Sequence, residues 1–525
     1  MLALPVIGIV AALFQPTLGS DVLSHLFSTV LPDYALTTAI LLLGVAWGVA
    51  SMGIICAWLV ATCDFPGKRF FEWALILPLA MPTYVMAYAY TDFFQFTGPI
   101  QTTLRHLLAV DRLTWFPEPR SLWGAMCVLS LALYPYVYLL CRMAFLERSP
   151  RLIEAARTLG AGPVRAFSDV ALPMARPAVI AGVALALMEA VADYGAVSYF
   201  GIQTMTTGIY RAWLSLGDKT AAIQLSALLL LVIFVLLLVE QASRTKMRFA
   251  NNTQRFLGIT TWQLQGTRAY LASLACALPL IFGFLLPTGI LIHLIMREGY
   301  FSSERYLTWL TNTIGLAGIT AITGVVIAIG LAYAARMTRG KWHTLVNRAV
   351  SMGYAVPGAV LAVGILVLLG QFGLTWMLSG SVVVLVYAYL TRFLSSGLQT
   401  VEAGLTKITP NMDASALSLG ASQMEILRRV HIPLLRRSAL TAGLLIFVDV
   451  MKELPATLVL RPFNFDTLAV ITYQLASDER LAEAAWPALT IVLAGLAPVI
   501  LLSRAMSSRS EEHTSELQSR ETISY

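Results

Sequence analysis

Two pairs of carboxylates stand inside apolar stretches of this chain, Glu189 with Asp193 and Asp449 with Glu453. A spacing of four places both members of a pair on one helix face. An acid within a helix long enough to cross a bilayer is costly, and it ordinarily faces a cavity or a partner. The four are therefore candidates for lining a translocation pathway. Counting from a helix start near residue 177, Glu189 lies about 18 Å along the axis at 1.5 Å per residue, near a bilayer midplane. Carboxylate oxygens suit a hard cation. The competing reading is that these acids hold helix ends, or pair with Lys452 and Arg211. No metal-ligand set is defined by the residues alone. Cys56, Cys63, Cys127, Cys141 and Cys276 form no CxxC, are odd in number, and sit in or beside apolar segments as small hydrophobes. His431 reads as a surface residue, and Tyr194, Tyr210 and Tyr473 as members of an aromatic belt.

The second constellation is a polar loop written twice. Ser149-Pro150 through Glu154-Ala155-Ala156 to Gly160, ending at Leu172-Pro173, recurs as Thr409-Pro410 through Asp413-Ala414-Ser415-Ala416 to Gly420, ending at Ile432-Pro433, at a constant offset of 260 residues. Ser149 or Thr409 is placed to cap a helix whose first residue is proline. Gly160 or Gly420 supplies a left-handed end. A further short helix starts at Pro163 in one copy, and at a Ser422–Glu425 capping box in the other. Pro173 and Pro433 break the chain before the next span. Two equivalent surface docking sites follow. The same offset carries Glu189 onto Asp449, Asp193 onto Glu453, Thr207 onto Thr467 and Asp218 onto Asp478; upstream, where it is slightly larger, Leu36-Thr37-Thr38 resembles Leu310-Thr311-Asn312 and Pro82 matches Pro357.

These residues must be positioned by membrane helices. The 525 residues are 58% apolar and only 12% charged, against about 25% charge in soluble domains. Stretches of about 20 apolar residues, each able to cross a hydrocarbon core, recur near 2–19, 35–62, 72–96, 121–146, 177–200, 221–240, 270–296, 312–335, 346–371, 375–400, 438–460 and 485–506. The fold class is an all-α polytopic membrane protein with about twelve transmembrane helices in two homologous six-helix halves. The halves cover 1–240 and 269–508, joined by a cytoplasmic linker at 241–268, and 509–525 reads as a disordered or non-native tail. Six spans per half make them parallel repeats. Basic residues gather at Lys68–Arg69, Arg142–Arg176, Arg244–Arg268, Arg336–Arg348 and Arg392–Arg437, so every second loop is basic. Those loops, and both termini, are assigned to the cytoplasm. The net charge of +7 has this topological origin and implies no nucleic-acid partner; the partner it implies is the bilayer.

The loop resembles the permease signature of binding-protein-dependent ABC importers: Glu-Ala-Ala, three residues, Gly, then hydrophobic-Leu-Pro. Glu154, Ala155, Ala156, Gly160 and Pro173 match it. The second copy keeps Gly420 and Pro433 but has Ala414 for Glu, with Asp413 one position early. Through Met188-Glu189-Ala190-Val191-Ala192-Asp193-Tyr194-Gly195 and Asp449-Val450-Met451-Lys452-Glu453-Leu454-Pro455, the chain to about residue 506 is similar to the fused two-domain permeases of ferric iron importers. The resemblance implies a type I importer permease fold in the bacterial inner membrane. It implies that both loops are coupling helices, that ABC ATPase subunits dock there (two copies), and that a periplasmic binding protein delivers ferric iron. Permeases for thiamine, phosphonate and polyamines share the fold and are the alternatives; an ion-coupled secondary transporter is the rival of another class. Gly67-Lys68 and Gly340-Lys341 are followed by Arg and Trp, so the chain has no phosphate-binding loop. It binds no cofactor itself and is not an enzyme; the partner uses the ATP. The degenerate second copy predicts that the first half is the more sensitive to mutation.

Overall fold

Each of the twelve apolar segments contributes a helix in the computed structural model, which describes residues 4–13, 30–148, 155–156, 158–249, 261–298, 303–338, 346–347, 350, 352–374, 378–406 and 408–521. In chain order they are α1 (Leu4–Leu13), α2 (Leu31–Thr62), α3 (Thr83–Phe94), α4 (Leu122–Arg148), α5 (Leu172–Ala192), α6 (Lys219–Phe249), α7 (Thr267–Arg297), α8 (Ser303–Thr338), α9 (Gly358–Gln371), α10 (Val382–Leu405), α11 (Ile432–Lys452) and α12 (Leu481–Glu521). Among the described residues, eight helices are long and apolar enough to span a bilayer, or nine if the pair Lys68–Ala80 and Thr83–Leu108, bent by 92°, counts as one. The shortfall from twelve has local causes. α1 has 10 residues and α9 has 14, too short for a full crossing, while α11 carries Arg436, Arg437, Asp449 and Lys452.

The breaks are themselves repeated. A 3₁₀ turn at Leu77–Ala80 leads through extended Pro82 into α3, and one at Gly353–Ala355 leads through extended Pro357 into α9. Proline fixes φ and forces the residue before it out of the helical region, so both re-entries are set by sequence. α5 likewise stops at Ala192 and α11 at Lys452, and short helices at Gly195–Tyr199 and Pro455–Leu460 follow.

α2, α4, α5 and α6 pack as one bundle, and α8, α10 and α11 as its counterpart. α1 lies instead against α9, so the first helix of the chain contacts the second half. The approach is close: a Cβ on Gly364 would run into the Pro5 carbonyl oxygen. α7 in turn packs on α2, α3 and α12. The linker returns to the first half, where Trp262–Gln263 (β2) pairs in parallel with Cys63–Asp64 (β1).

Three expectations are corrected. Pro173 and Pro433 do not break the chain: a π-helical turn, Ala166–Ala171 or Leu427–His431, runs directly into α5 or α11. Wide i→i+5 turns absorb the missing proline N–H. The tail is not irregular through its length, since α12 continues to Glu521; beyond Pro498 it has no Gly or Pro, and Glu, Gln, Leu and Arg favour helix. Thr467 is matched by Thr204 rather than Thr207. Both are N-caps, with Met205 N donating to Thr38 Oγ1 at 3.1 Å and Leu468 N to Thr313 Oγ1 at 2.8 Å.

Candidate functional site

α5 and α11 bring the four acids together at a cavity of about 360 Å³ between the halves. Glu189, Asp193, Asp449 and Glu453 all line it, with Tyr84, Tyr136, Tyr194, Tyr354, Arg392 and Lys452. The members of each pair differ in role. Glu189 and Asp449 are within their helices, whereas Asp193 and Glu453 are the first residues past the helix end, with extended backbone. Asp193 Oδ1 accepts from Ala196 N at 2.9 Å and Val197 N at 3.4 Å, and Oδ2 accepts from the Thr83 hydroxyl. Glu453 Oε1 accepts from Ala456 N at 2.9 Å, and Oε2 from Thr457 N at 3.0 Å and Thr457 Oγ1 at 2.5 Å. These two acids cap the short helices that follow, using amides that would otherwise lack partners.

Arg392 was read from sequence as part of a basic loop, and the structure overturns this. It lies inside α10, its side chain 8% exposed, with Nη1 donating to Glu453 Oε1 at 3.1 Å. Arg142, assigned to another basic loop, lies in α4 beside Glu72 at 3.7 Å. Lys452 Nζ is 3.8 Å from Asp449 Oδ1. Arg211, the other cation expected to pair with these acids, is not among the residues lining the cavity. The clue to Arg392 was its isolation among apolar residues on both sides, which fits a paired buried ion better than a loop.

Above the acids the tyrosines form no lipid-facing belt. Tyr194 stacks on Tyr210 with centroids 3.8 Å apart and lies 5.8 Å from Tyr473. Tyr473 Oη is 2.8 Å from Ser198 Oγ, joining the two halves. The cysteines are free thiols, four of them buried. Among the described residues no cluster of three or more His, Cys, Asp or Glu could hold a metal ion.

The duplicated loops lie at the opposite ends of α5 and α11 from the acids. Ser149, Pro150 and Glu154 fall outside the described residues; Ala155 and Ala156 are helical. Gly160 and Gly420 share φ +83°, and Ala161 N donates to Ala156 O at 2.9 Å as Ala421 N does to Ala416 O at 3.1 Å. This is the six-to-one closure of a glycine-terminated helix. Ala414 lies in the helix Pro410–Ser418. Thr409 takes the N-cap backbone conformation, but its side chain makes no capping bond. The Ser422–Glu425 capping box is present in both directions, and those bonds hold the Glu425 carboxyl below its usual range. Before each glycine a leucine stands in the open, Leu159 at 87% and Leu419 at 88% exposure.

His431 is buried, correcting its reading as a surface residue: Nε2 lies 2.7 Å from Asp413 Oδ1. Arg336 Nε and Nη2 reach Asp413 Oδ2 at 2.8 and 2.7 Å. Burial pushes the Asp413 carboxyl up, but the bonds from His431 and Arg336 outweigh it and hold the group below its ordinary value.

An acid-lined cavity at one end of α5 and α11 and a duplicated loop at the other, in an all-α polytopic bundle, describe a membrane protein with two related halves in one chain. Residues 50–249 match the family model described as binding-protein-dependent transport system inner membrane component. The chain is 28% identical over 496 residues to the Fe(3+)-transport system permease protein FbpB 2 of Haemophilus influenzae, covering 91% of each. It is 23% identical to a probable ABC transporter permease of Sinorhizobium fredii, covering 84% of this chain and 82% of that one. The molybdenum transport system permease ModB of Escherichia coli is 27% identical over 36% of this chain and 82% of its own. The matched region is thus that of a binding-protein-dependent transport permease, and over its length the chain is similar to fused two-domain permeases, a ferric iron permease among them.

Proposed function

We propose that this permease translocates ferric iron, delivered on the outer face by a periplasmic binding protein and driven by two copies of a separate ABC ATPase docked on the inner face. The observation that carries the reading is the acid-lined cavity at the seam of the halves. Its formal charge is negative, with four carboxylates against Arg392 and Lys452. The end-to-end similarity to an iron permease supports the same substrate. In this reading the basic loops and both termini are cytoplasmic, and Leu159 and Leu419 are the apolar tips that enter the ATPases. ATP-driven closure of the ATPase pair moves the loops, and α5 and α11 carry that movement to the acids.

Uptake of labelled ferric iron by iron-starved cells, with and without the gene, tests the substrate. Iron uptake unchanged by deletion, with a fall in molybdate, sulfate, thiamine or phosphonate uptake, would reject it. Glu189→Gln with Asp449→Asn is expected to lower iron uptake at least about tenfold while the ATPase still co-purifies. Wild-type uptake in that variant would exclude these acids from the pathway. Leu159→Glu with Leu419→Glu places charge where an apolar contact is buried and is expected to abolish ATPase co-purification. Undiminished co-purification would remove these leucines from the interface.

A further inference from the structure

Charge distinguishes the two halves where the second loop runs into α11. Arg428, Arg429, Arg436 and Arg437 stand there, and at the constant offset the first half has Ser168, Asp169, Arg176 and Pro177. Arg165 likewise corresponds to Glu425. With His431 neutral, residues 425–437 carry a formal charge of +3, against +1 for residues 165–177.

All four arginines are exposed. The opposite side of the segment is buried: Leu435 and Ala442 pack with α8 and α10, and His431 lies against Tyr333 of α8. Eight residues overshoot two α-helical turns. The wide turn at Leu427–His431 takes up the excess, so the two arginine pairs line up on one face. Around them Ile432, Leu434 and Leu440 are 44%, 53% and 75% exposed. Exposed apolar side chains interleaved with exposed arginines suit the boundary between acyl chains and headgroups. A charge bias that only orients a helix is indifferent to the face that carries it. Here the charge is gathered on the outward face.

Among the described residues, the side chains of Arg428, Arg436 and Arg437 have no hydrogen bond or ion pair. Arg429 has only the exposed Glu425, at 3.8 Å, a surface contact of small worth. Guanidinium forks match the oxygens of a phosphate, and basic clusters beside a membrane helix attract anionic lipid. We infer that this face is a binding site for the headgroups of anionic phospholipids, present on the second half alone, with lipid phosphates bridging Arg428 and Arg429 to Arg436 and Arg437. Bound lipid braces the start of α11 from outside, opposite the His431–Asp413 contact that holds it from within.

The test titrates the full-length permease, purified in uncharged detergent, with phosphatidylglycerol or with phosphatidylcholine of the same acyl chains. Bound lipid is read by native mass spectrometry, beside the thermal unfolding midpoint. The wild type is expected to retain phosphatidylglycerol over phosphatidylcholine, to gain midpoint from it, and to lose the preference in high salt. Each arginine replaced by Gln should lower the phosphatidylglycerol affinity about fivefold, so changing all four removes the preference. Should that variant not be recovered, Arg436→Gln with Arg437→Gln is expected to lose about twentyfold. Lysine at all four positions keeps the charge and should lose less. Equal binding of the two lipids by the wild type, or undiminished phosphatidylglycerol binding in the Gln variants, overturns the inference. So does a Gln variant that binds lipid as the wild type does but no longer co-purifies with an ATPase, which would assign the face to that partner instead.

Discussion

Glu453→Ala is expected to destabilise the permease far more than Asp193→Ala, although the two acids occupy equivalent positions. Each caps a short helix, and losing a cap costs about 0.5–2 kcal/mol. Glu453 has a second duty. Its side chain is 1% exposed and neutralises Arg392, itself 8% exposed. Removing one partner of a buried ion pair leaves an uncompensated charge and costs about 3–5 kcal/mol, a large share of the roughly 5–15 kcal/mol that ordinarily holds a fold together. Among the described residues Asp193 has no such partner: its bonds run to the Thr83 hydroxyl and two amides. The ordering is read from the yield and thermal unfolding midpoint of the purified protein. Glu453→Ala with Arg392→Ala should recover much of the loss, because the stranded cation goes with the acid. Equal midpoints for Glu453→Ala and Asp193→Ala would mean that the Arg392–Glu453 contact contributes nothing beyond the cap.

That pair also marks where sequence reading stopped. The helices were legible because apolar runs near membrane length have few other solutions in lipid. The loop repeat was legible because a left-handed turn restricts the residue to glycine, and Gly160 and Gly420 both take φ +83°. Glu189 and Asp449 were found as acids in apolar surroundings. The same argument, applied to Arg392, would have placed it inside α10, but charge counting by loop swept it into the nearest basic cluster. Asp193 and Glu453 were placed on helix faces because a spacing of four cannot reveal that the helix stops one residue earlier. Thr204 was missed because the segment between Asp193 and Met205 differs in length from its counterpart, so a constant offset points to Thr207. His431 and Asp413 are 18 residues apart, beyond any local pattern, and only the folded-back π turn brings them together.

Asp413→Ala is expected to uncouple transport from ATP hydrolysis while leaving the bundle folded. This single carboxylate joins four elements. Its own helix, Pro410–Ser418, is tied to His431 at the start of α11 and to Arg336 near the end of α8. Arg336 in turn donates to Leu405 O at 3.0 Å and Ile408 O at 2.9 Å at the end of α10. The first half is held differently. Ala171 stands where the second half has His431, and its loop packs through Phe167 on Trp58, centroids 5.1 Å apart, with Phe145 and the linker's Trp262 against the same ring. One loop is thus braced by charge and the other by aromatic packing. The missing Glu of the second copy is therefore not expected to make that half the tolerant one, because Asp413 anchors its helix within the chain. The sign of its pH dependence follows from the lowered carboxyl. The stabilisation is fully present above the ordinary carboxylate value of about 3.9 and is lost only as pH falls through the lower folded value. Between pH 5 and 8 the Asp413 carboxyl therefore stays ionised. On the proposed reading, Asp413→Ala in reconstituted importer should lower iron entry per ATP hydrolysed by about tenfold or more, because it takes the counter-ion from the partly buried Arg336. Asp413→Asn, which keeps the shape without the charge, should fall between. Phe167→Ala should impair the first loop through lost packing with no salt dependence, whereas the Asp413 variants alter the response to salt. Wild-type coupling in Asp413→Ala would show that the second loop is held in place without this triad.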